Sequence, residues 1–128
     1  MAVEINQRGF EHAKQLISEG RAVADERVDW RNHRPDADKQ DAYMSVMGAE
    51  RYGDWHLGID DQQPGGSKSR YHFLFGDFSD LHRCALFEIQ DAADNFFYGD
   101  IEIAAAALIS LLRSHAPEAK AAAGTAGT

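Results

Sequence analysis

A chain of 128 residues with 44% apolar and 27% charged positions amounts to one globular domain, long enough to bury about two thirds of its unfolded surface without staples. Its net charge of −8, from 13 Lys+Arg against 21 Asp+Glu, repels phosphate backbones and anionic membranes and so disfavours nucleic acid as a partner. A single cysteine excludes an internal disulfide, the opening MAVEINQRGFEHAK has no apolar signal core, and no apolar run approaches the ~20 residues of a membrane helix; the expectation is a cytoplasmic protein with no membrane segment.

In chain order, Phe10, Ala13, Leu16 and Ile17 fall at helical spacing within Ile5 to Glu19, and Gly20 supplies a stop, so a first amphipathic helix is expected there. Arg21 to Arg34 is dense in charge, with Val23, Val28 and Trp30 as its large apolar anchors, and reads as irregular with room for one helical turn. Pro35 and Asp36 mark a helix start, because the Asp36 carboxylate can accept backbone N–H bonds at the N-cap; Tyr43, Val46 and Met47 are expected to be its buried stripe and Gly48 its end.

After Tyr52 the period changes. Trp55, Leu57 and Ile59 alternate with Asp54, His56 and Asp60, the pattern of a strand with one wet face. Tyr71, Phe73 and Phe75 alternate with His72 and Leu74, and the turn-forming DDQQPGGSKS lies between, so the two runs predict an antiparallel hairpin with a long loop. Two strands alone are marginal and must lie on helices. Ser79 is a candidate N-cap for a long helix from Asp80 to about Tyr98, striped by Leu81, Ala85, Ile89, Ala92, Ala93 and Phe96. Gly99 is expected to break it and Asp100 to cap a last helix, in which Ile101, Ala104, Ala105, Leu108, Ile109 and Leu112 face inward and the two helices pack antiparallel. From Pro117 the chain reads PEAKAAAGTAGT, with nothing large to bury, which predicts a domain over 1–116 and a disordered tail over 117–128. The fold class expected is mainly α (α+β): about four helices packed around a small two-stranded hairpin.

The ordered string Tyr52-Gly-Asp-Trp55-His56-Leu57-Gly58-Ile59-Asp60, then Lys68, Arg70-Tyr71, Phe73, Gly76-Asp77-Phe78 and His82-Arg83-Cys84, resembles a small bacterial family of unknown function. Gly9-Phe10, Leu16-Ile17, Asp25-Glu26-Arg27 and Asp29-Trp30 extend the resemblance upstream, and the segment from Tyr71 to Asp77 is similar to stretches in phage proteins near capsid-maturation proteases. The chain departs from the family pattern at His72, where Lys is usual, and at Leu74, where Pro is. The resemblance implies a compact, mainly helical fold and no established activity.

The densest polar set in an apolar surround is His56, His72, Asp77 and His82, with Arg83 beside it. A histidine next to a carboxylate titrates near neutral pH, so these four are the candidate catalytic residues for acid–base work or metal-assisted hydrolysis. The plainer reading has Asp77 and Ser79 capping the long helix while His82 and Arg83 solvate its first turn. No metal ligand set is assigned and no cofactor is expected, because no H-E-x-x-H or comparable spacing places two ligands on adjacent helical turns. His82 and Cys84, two apart on the expected helix, would point about 200° from each other and could not pair; burial as a small hydrophobe is the expected state of Cys84.

Pro64-Gly-Gly-Ser-Lys68-Ser69 is no Walker loop, since Ser67 interrupts the Gly-Lys pair and a strand pattern follows, and Asp60-Asp61 lacks the alternating ligands of a calcium loop. Tyr52, Trp55, Lys68, Arg70, Tyr71 and Arg83 are the candidate binding residues, although the aromatic run Tyr71, Phe73, Phe75, Phe78 fits core packing better than base stacking in so acidic a chain. Phe87, Phe96, Phe97 and Tyr98 exceed what one helical stripe buries. That surplus favours a self-associating interaction or accessory module, a homo-oligomer or the holder of a protein partner, over the alternative of a small His/Asp enzyme.

Overall fold

The computed structural model describes residues 3–27, 29–115 and 120–121. Among the described residues, six α-helices and six strands surround one apolar core: β1 (Val3–Ile5), α1 (Gln7–Ser18), β2 (Ala22–Ala24), α2 (Trp30–His33), α3 (Ala37–Met47), α4 (Ala49–Gly53), β3 (His56–Asp60), β4 (Tyr71–Leu74), β5 (Leu81–His82), α5 (Arg83–Asn95), α6 (Gly99–Ser114) and β6 (Lys120–Ala121). The α+β class is as expected, with α1, α3, α5 and α6 as the four long helices. The hairpin β3–β4 forms, with His56 opposite Leu74 and Gly58 opposite His72. It is extended on its other edge by β1, which pairs antiparallel with β3, so the sheet has three strands in the order β1-β3-β4. Three residues are too few to show a period of two, which is why β1 does not stand out from the start of the first helix in the sequence.

The third strand changes what β3 buries. As the central strand under α1 and α6 it has no wet face: His56 and Asp60 are as buried as Leu57, and Ile59 is the partly exposed residue. The buried polar groups are satisfied locally. Asn6, between β1 and α1, donates its side-chain amide to the carbonyls of Gly53 and His56 at 2.9 and 3.0 Å. Gly9 of α1 then lies so close to β3 that a Cβ there would sit 1.9 Å from the His56 carbonyl oxygen.

A second, parallel sheet in the order β5-β2-β6 runs through the segment expected to be irregular. Ala22 lies opposite Leu81 and Val23 opposite His82. α2 supplies the expected single helical turn around the buried Trp30, and Val28 lies outside the described residues. The tail expected over 117–128 also lies outside them, apart from Lys120–Ala121, which pair parallel with Val23 and Ala24.

Asp36 caps α3 by accepting from the Lys39 amide at 2.8 Å, and Gly48 ends it at φ 93°, both as expected. The buried stripe differs: Val46 is 80% exposed and Met47 is exposed too, while Gln40 and Tyr43 make the contact. Gln40 accepts from the Tyr52 hydroxyl at 3.0 Å, and Tyr43 accepts from the Trp55 indole at 3.1 Å and stacks on Phe78. α3 is thus held by polar and aromatic contacts that an apolar stripe does not reveal. The six inward residues expected of α6 are all buried, and α6 is tied to β1 where Asp100 accepts from the Ile5 amide at 2.8 Å.

The long helix starts three residues later than expected. Ser79 does not cap it; Asp77 closes a turn by accepting from the amides of Ser79 and Asp80, and Leu81 and His82 are strand before α5 begins at Arg83. Its far end is a surprise of another kind. The Tyr98 amide reaches the Ala93 carbonyl and the Phe97 amide that of Asp94, a Schellman closure with Phe97 at φ 60°, so Phe97 and not Gly99 ends the helix. α1 closes the same way with Gly20 at φ 75°.

These contacts predict opposite outcomes for two substitutions. Gly9→Ala forces α1 off β3 and should cost about 1–3 kcal/mol, while Val46→Lys, on the open face of α3, should stay within about 0.5 kcal/mol of the parent. Urea denaturation midpoints of the two variants check both.

Candidate functional site

The parallel pairing of β2 with β5 carries Asp25, just past β2, to the point where β5 turns into α5. Asp25 is buried. Its Oδ2 lies 2.7 Å from His82 Nδ1, and its Oδ1 accepts the Cys84 backbone N–H at 2.9 Å. On the other side of the ring, His82 Nε2 lies 2.8 Å from Asp77 Oδ2. With a carboxylate against each ring nitrogen, both nitrogens donate and the buried ring is an imidazolium. Burial pulls its pKa down, but the hydrogen bonds to Asp25 and Asp77 outweigh that and push it up to about 11. Burial likewise pushes Asp77 up, and the bonds from His82 and the Asp80 and Ser79 amides more than reverse it, down to about 2. Asp25 is lowered too, its burial overcome by His82 and the Cys84 amide.

The surround closes the site. His33 stacks on His82 with ring centroids 4.8 Å apart, and its Nε2 lies 3.9 Å from Asp25 Oδ2. Trp30 flanks the same ring at 5.8 Å. Arg83 donates to the backbone carbonyls of Asp25 and Ala24 rather than to a carboxylate, and its guanidinium also lies over Phe87. The side-chain ligand atoms of Asp25, His82 and Cys84 all lie within 4.8 Å of one another. His82 and Cys84 therefore do meet, because His82 is in a strand and the 200° helical separation does not apply. Cys84 is buried, as expected, and burial raises its thiol pKa.

Of the four catalytic candidates, Asp77 and His82 come together and His56 and His72 form a separate pair on the three-stranded sheet. They occupy neighbouring register positions on one face, as the hairpin predicts, but that face is covered. His56 Nδ1 lies 2.9 Å from the Tyr52 carbonyl, which can only accept, so that nitrogen carries the proton. Burial holds its pKa at about 3, so the ring is neutral. His72 Nε2 is buried and has no partner among the described residues. The plainer reading fails in its detail: His82 is buried rather than solvating a helix turn.

The binding candidates scatter. Tyr52 and Trp55 are core residues, Lys68 pairs with Asp41 at 2.8 Å on the surface, and Arg70 holds the Gln63 carbonyl of its own loop. Tyr71 is half-buried beside His56. A polar cavity of about 620 Å³ lies elsewhere, between Arg8, His12, Tyr43, Glu50 and Trp55. None of the four catalytic candidates lines it. Asp25 and His33 are the site residues that sequence reasoning missed. Each sits in a charged stretch where nothing local separates a buried partner from a solvated one. A scan of protein-family models finds no match to the chain, and neither the search of curated proteins nor that of solved structures finds one.

The two buried histidines are shifted in opposite directions from 6.5, which shapes stability against pH. His82, raised to about 11, contributes stability that is complete below pH 6.5 and is lost as pH climbs toward 11. His56, lowered to about 3, contributes stability that is complete above 6.5 and is lost as pH falls toward 3; Asp77 adds a further loss between 3.8 and about 2. In chelator-containing buffer, urea midpoints should peak near pH 6.5. His82→Gln should flatten the alkaline limb and His56→Gln the acid limb; a curve of unchanged shape in either variant contradicts the assignment for that residue.

Proposed function

We propose that this chain is a small cytoplasmic interaction or accessory module that associates with itself, with no chemistry of its own. The observation that carries the reading is Phe97, which is 93% exposed at φ 60°. A non-glycine residue in the left-handed region costs about 1–2 kcal/mol, and the C′ position of a Schellman closure is where glycine normally stands. Gly20 fills that position in α1. Phe97 fills it in α5 with a ring that makes no core contact among the described residues, so nothing in them offsets its backbone strain. Phe96, 64% exposed, precedes it, and Ile103, 71% exposed, follows one turn into α6. Exposed apolar side chains of this size, close together in the chain around one turn, are of the kind that mark a protein contact.

The alternative, an acid–base enzyme built on His56, His72, Asp77 and His82, is supported by the Asp77–His82 contact. It is opposed by what surrounds that contact. An imidazolium held up at about 11 does not release its proton at neutral pH, and a general base must.

Phe97→Gly separates association from folding. The variant should be more stable as a monomer, by up to about 1 kcal/mol, because glycine relieves the backbone, and it should self-associate less. Multi-angle light scattering at micromolar concentration is expected to give a dimer or larger species for the parent and a lower mass for the variant. A monomeric parent at every concentration overturns the self-association reading.

A further inference from the structure

We propose that Asp25 Oδ2, His82 Nδ1, Cys84 Sγ and His33 Nε2 form a binding site for a zinc-class divalent ion that clamps β2, α2 and the β5–α5 junction together. The proposal goes beyond the association reading and does not depend on it. Among the described residues, Asp25, His82 and Cys84 are a buried set of three different ligand types whose donor atoms already lie within 4.8 Å of one another. A tetrahedral ion with Zn–N and Zn–O near 2.0–2.2 Å and Zn–S near 2.3 Å needs donors spaced about 3.3–3.7 Å apart. The Asp25–His82 pair, at 2.7 Å, has to open slightly, and the thiol, within 4.8 Å of both, has to move in by no more than about an ångström. His33 Nε2, 3.9 Å from the same carboxylate oxygen, is near the spacing for a fourth ligand. Its ring is nearly parallel to that of His82, so it must swing to present its lone pair, which its partly exposed position allows.

The outer contacts are those that metal-binding side chains require. A ligating histidine donates its other ring N–H to a carboxylate, which fixes ring orientation and makes the inner nitrogen more basic. His82 Nε2 does this to Asp77 Oδ2 at 2.8 Å. The second oxygen of Asp25 is held by the Cys84 amide, which leaves Oδ2 to face the ion. Soft thiolate, imidazole and one carboxylate together select zinc over magnesium or calcium, which take oxygen ligands.

The charge balance closes. As the divalent ion enters, the proton on His82 Nδ1 and the proton on Cys84 Sγ leave to water. Asp25, His82, Cys84 and Asp77 carry a formal −1 before binding, from two carboxylates and one imidazolium. Afterwards two carboxylates and one thiolate around a +2 ion again give −1. No net charge is added to the interior, and two protons are released per ion.

Cobalt(II), titrated into the full chain at micromolar concentration, tests the site directly. The expected result is one ion per chain, a thiolate-to-cobalt absorption in the near ultraviolet, two protons released in weakly buffered solution, and a rise in melting temperature that zinc also produces and millimolar magnesium does not. Cys84→Ser should abolish the near-ultraviolet absorption and weaken zinc at least tenfold. His33→Ala, which removes none of the Asp25–His82–Asp77 hydrogen bonds, should keep that absorption, change the visible cobalt bands and weaken zinc about tenfold, with circular dichroism reporting the fold of both. Absence of the thiolate absorption in the parent overturns the proposal, as does zinc affinity unchanged in both variants, which places the ion elsewhere.

Discussion

His82 joins three stretches of chain: the segment after β2, the turn at 77–80 and the start of α5, with its partner Asp25 lying 57 residues away in sequence. A charged ring buried between carboxylates is tolerable only when every hydrogen-bonding position around it is filled, because each charge has lost its water. Here they are. The second oxygen of Asp25 takes the Cys84 amide, and that of Asp77 takes the amides of Ser79 and Asp80. The same bonds that stabilise the ion triad therefore also decide where β5 ends, where α5 begins and how the preceding turn is shaped. This is why α5 starts at Arg83 and lacks a side-chain cap of its own.

Three phenylalanines occupy the left-handed region, and they divide by what their rings do. Phe78, at φ 70°, sits in the turn that Asp77 closes, and its ring stacks on Tyr43 at 4.2 Å and meets the edge of Trp55. Phe73, at φ 66°, packs against the core and against Tyr98. In both, ring burial offsets backbone strain, since an aromatic side chain carries one of the larger apolar surfaces available. Phe97 has the strain without the burial. The imbalance lies at the α5–α6 turn, at the opposite end of α5 from the His82 site. The His82 network is thus buried, while Phe96 and Phe97 are left exposed.

Much of the fold is legible in the residues themselves. The α6 stripe, the Asp36 cap, the glycine stops at Gly20 and Gly48, and the β3–β4 pairing follow from periodicity and from the conformations that particular residues permit. The candidate site was legible only in part. The spacing groups His56, His72, Asp77 and His82 as one cluster, because all four are polar residues near aromatics; in the fold Asp77 and His82 meet, while His56 and His72 lie apart from them on the three-stranded sheet. Spacing along a chain reports which face a residue shares, and says nothing about which distant segment covers that face.

The boundary between the two kinds of information runs through single elements. In β3 the alternation of Trp55, Leu57 and Ile59 specified a strand, but β1 and the helices above it decided that His56 and Asp60 are buried as well. In α3 the sequence determined the start and the stop, while the face was settled by Tyr52, Trp55 and Phe78, which supply partners for Gln40 and Tyr43. Asp25 is the clearest case: it lies in a charge-dense run that reads as irregular, and it becomes the anchor of a buried ion triad only because β2 and β5 lie side by side. Local conformation depends on a few neighbouring residues and is written in them. Burial and charge state depend on partners brought from far along the chain, and only the tertiary structure decides those.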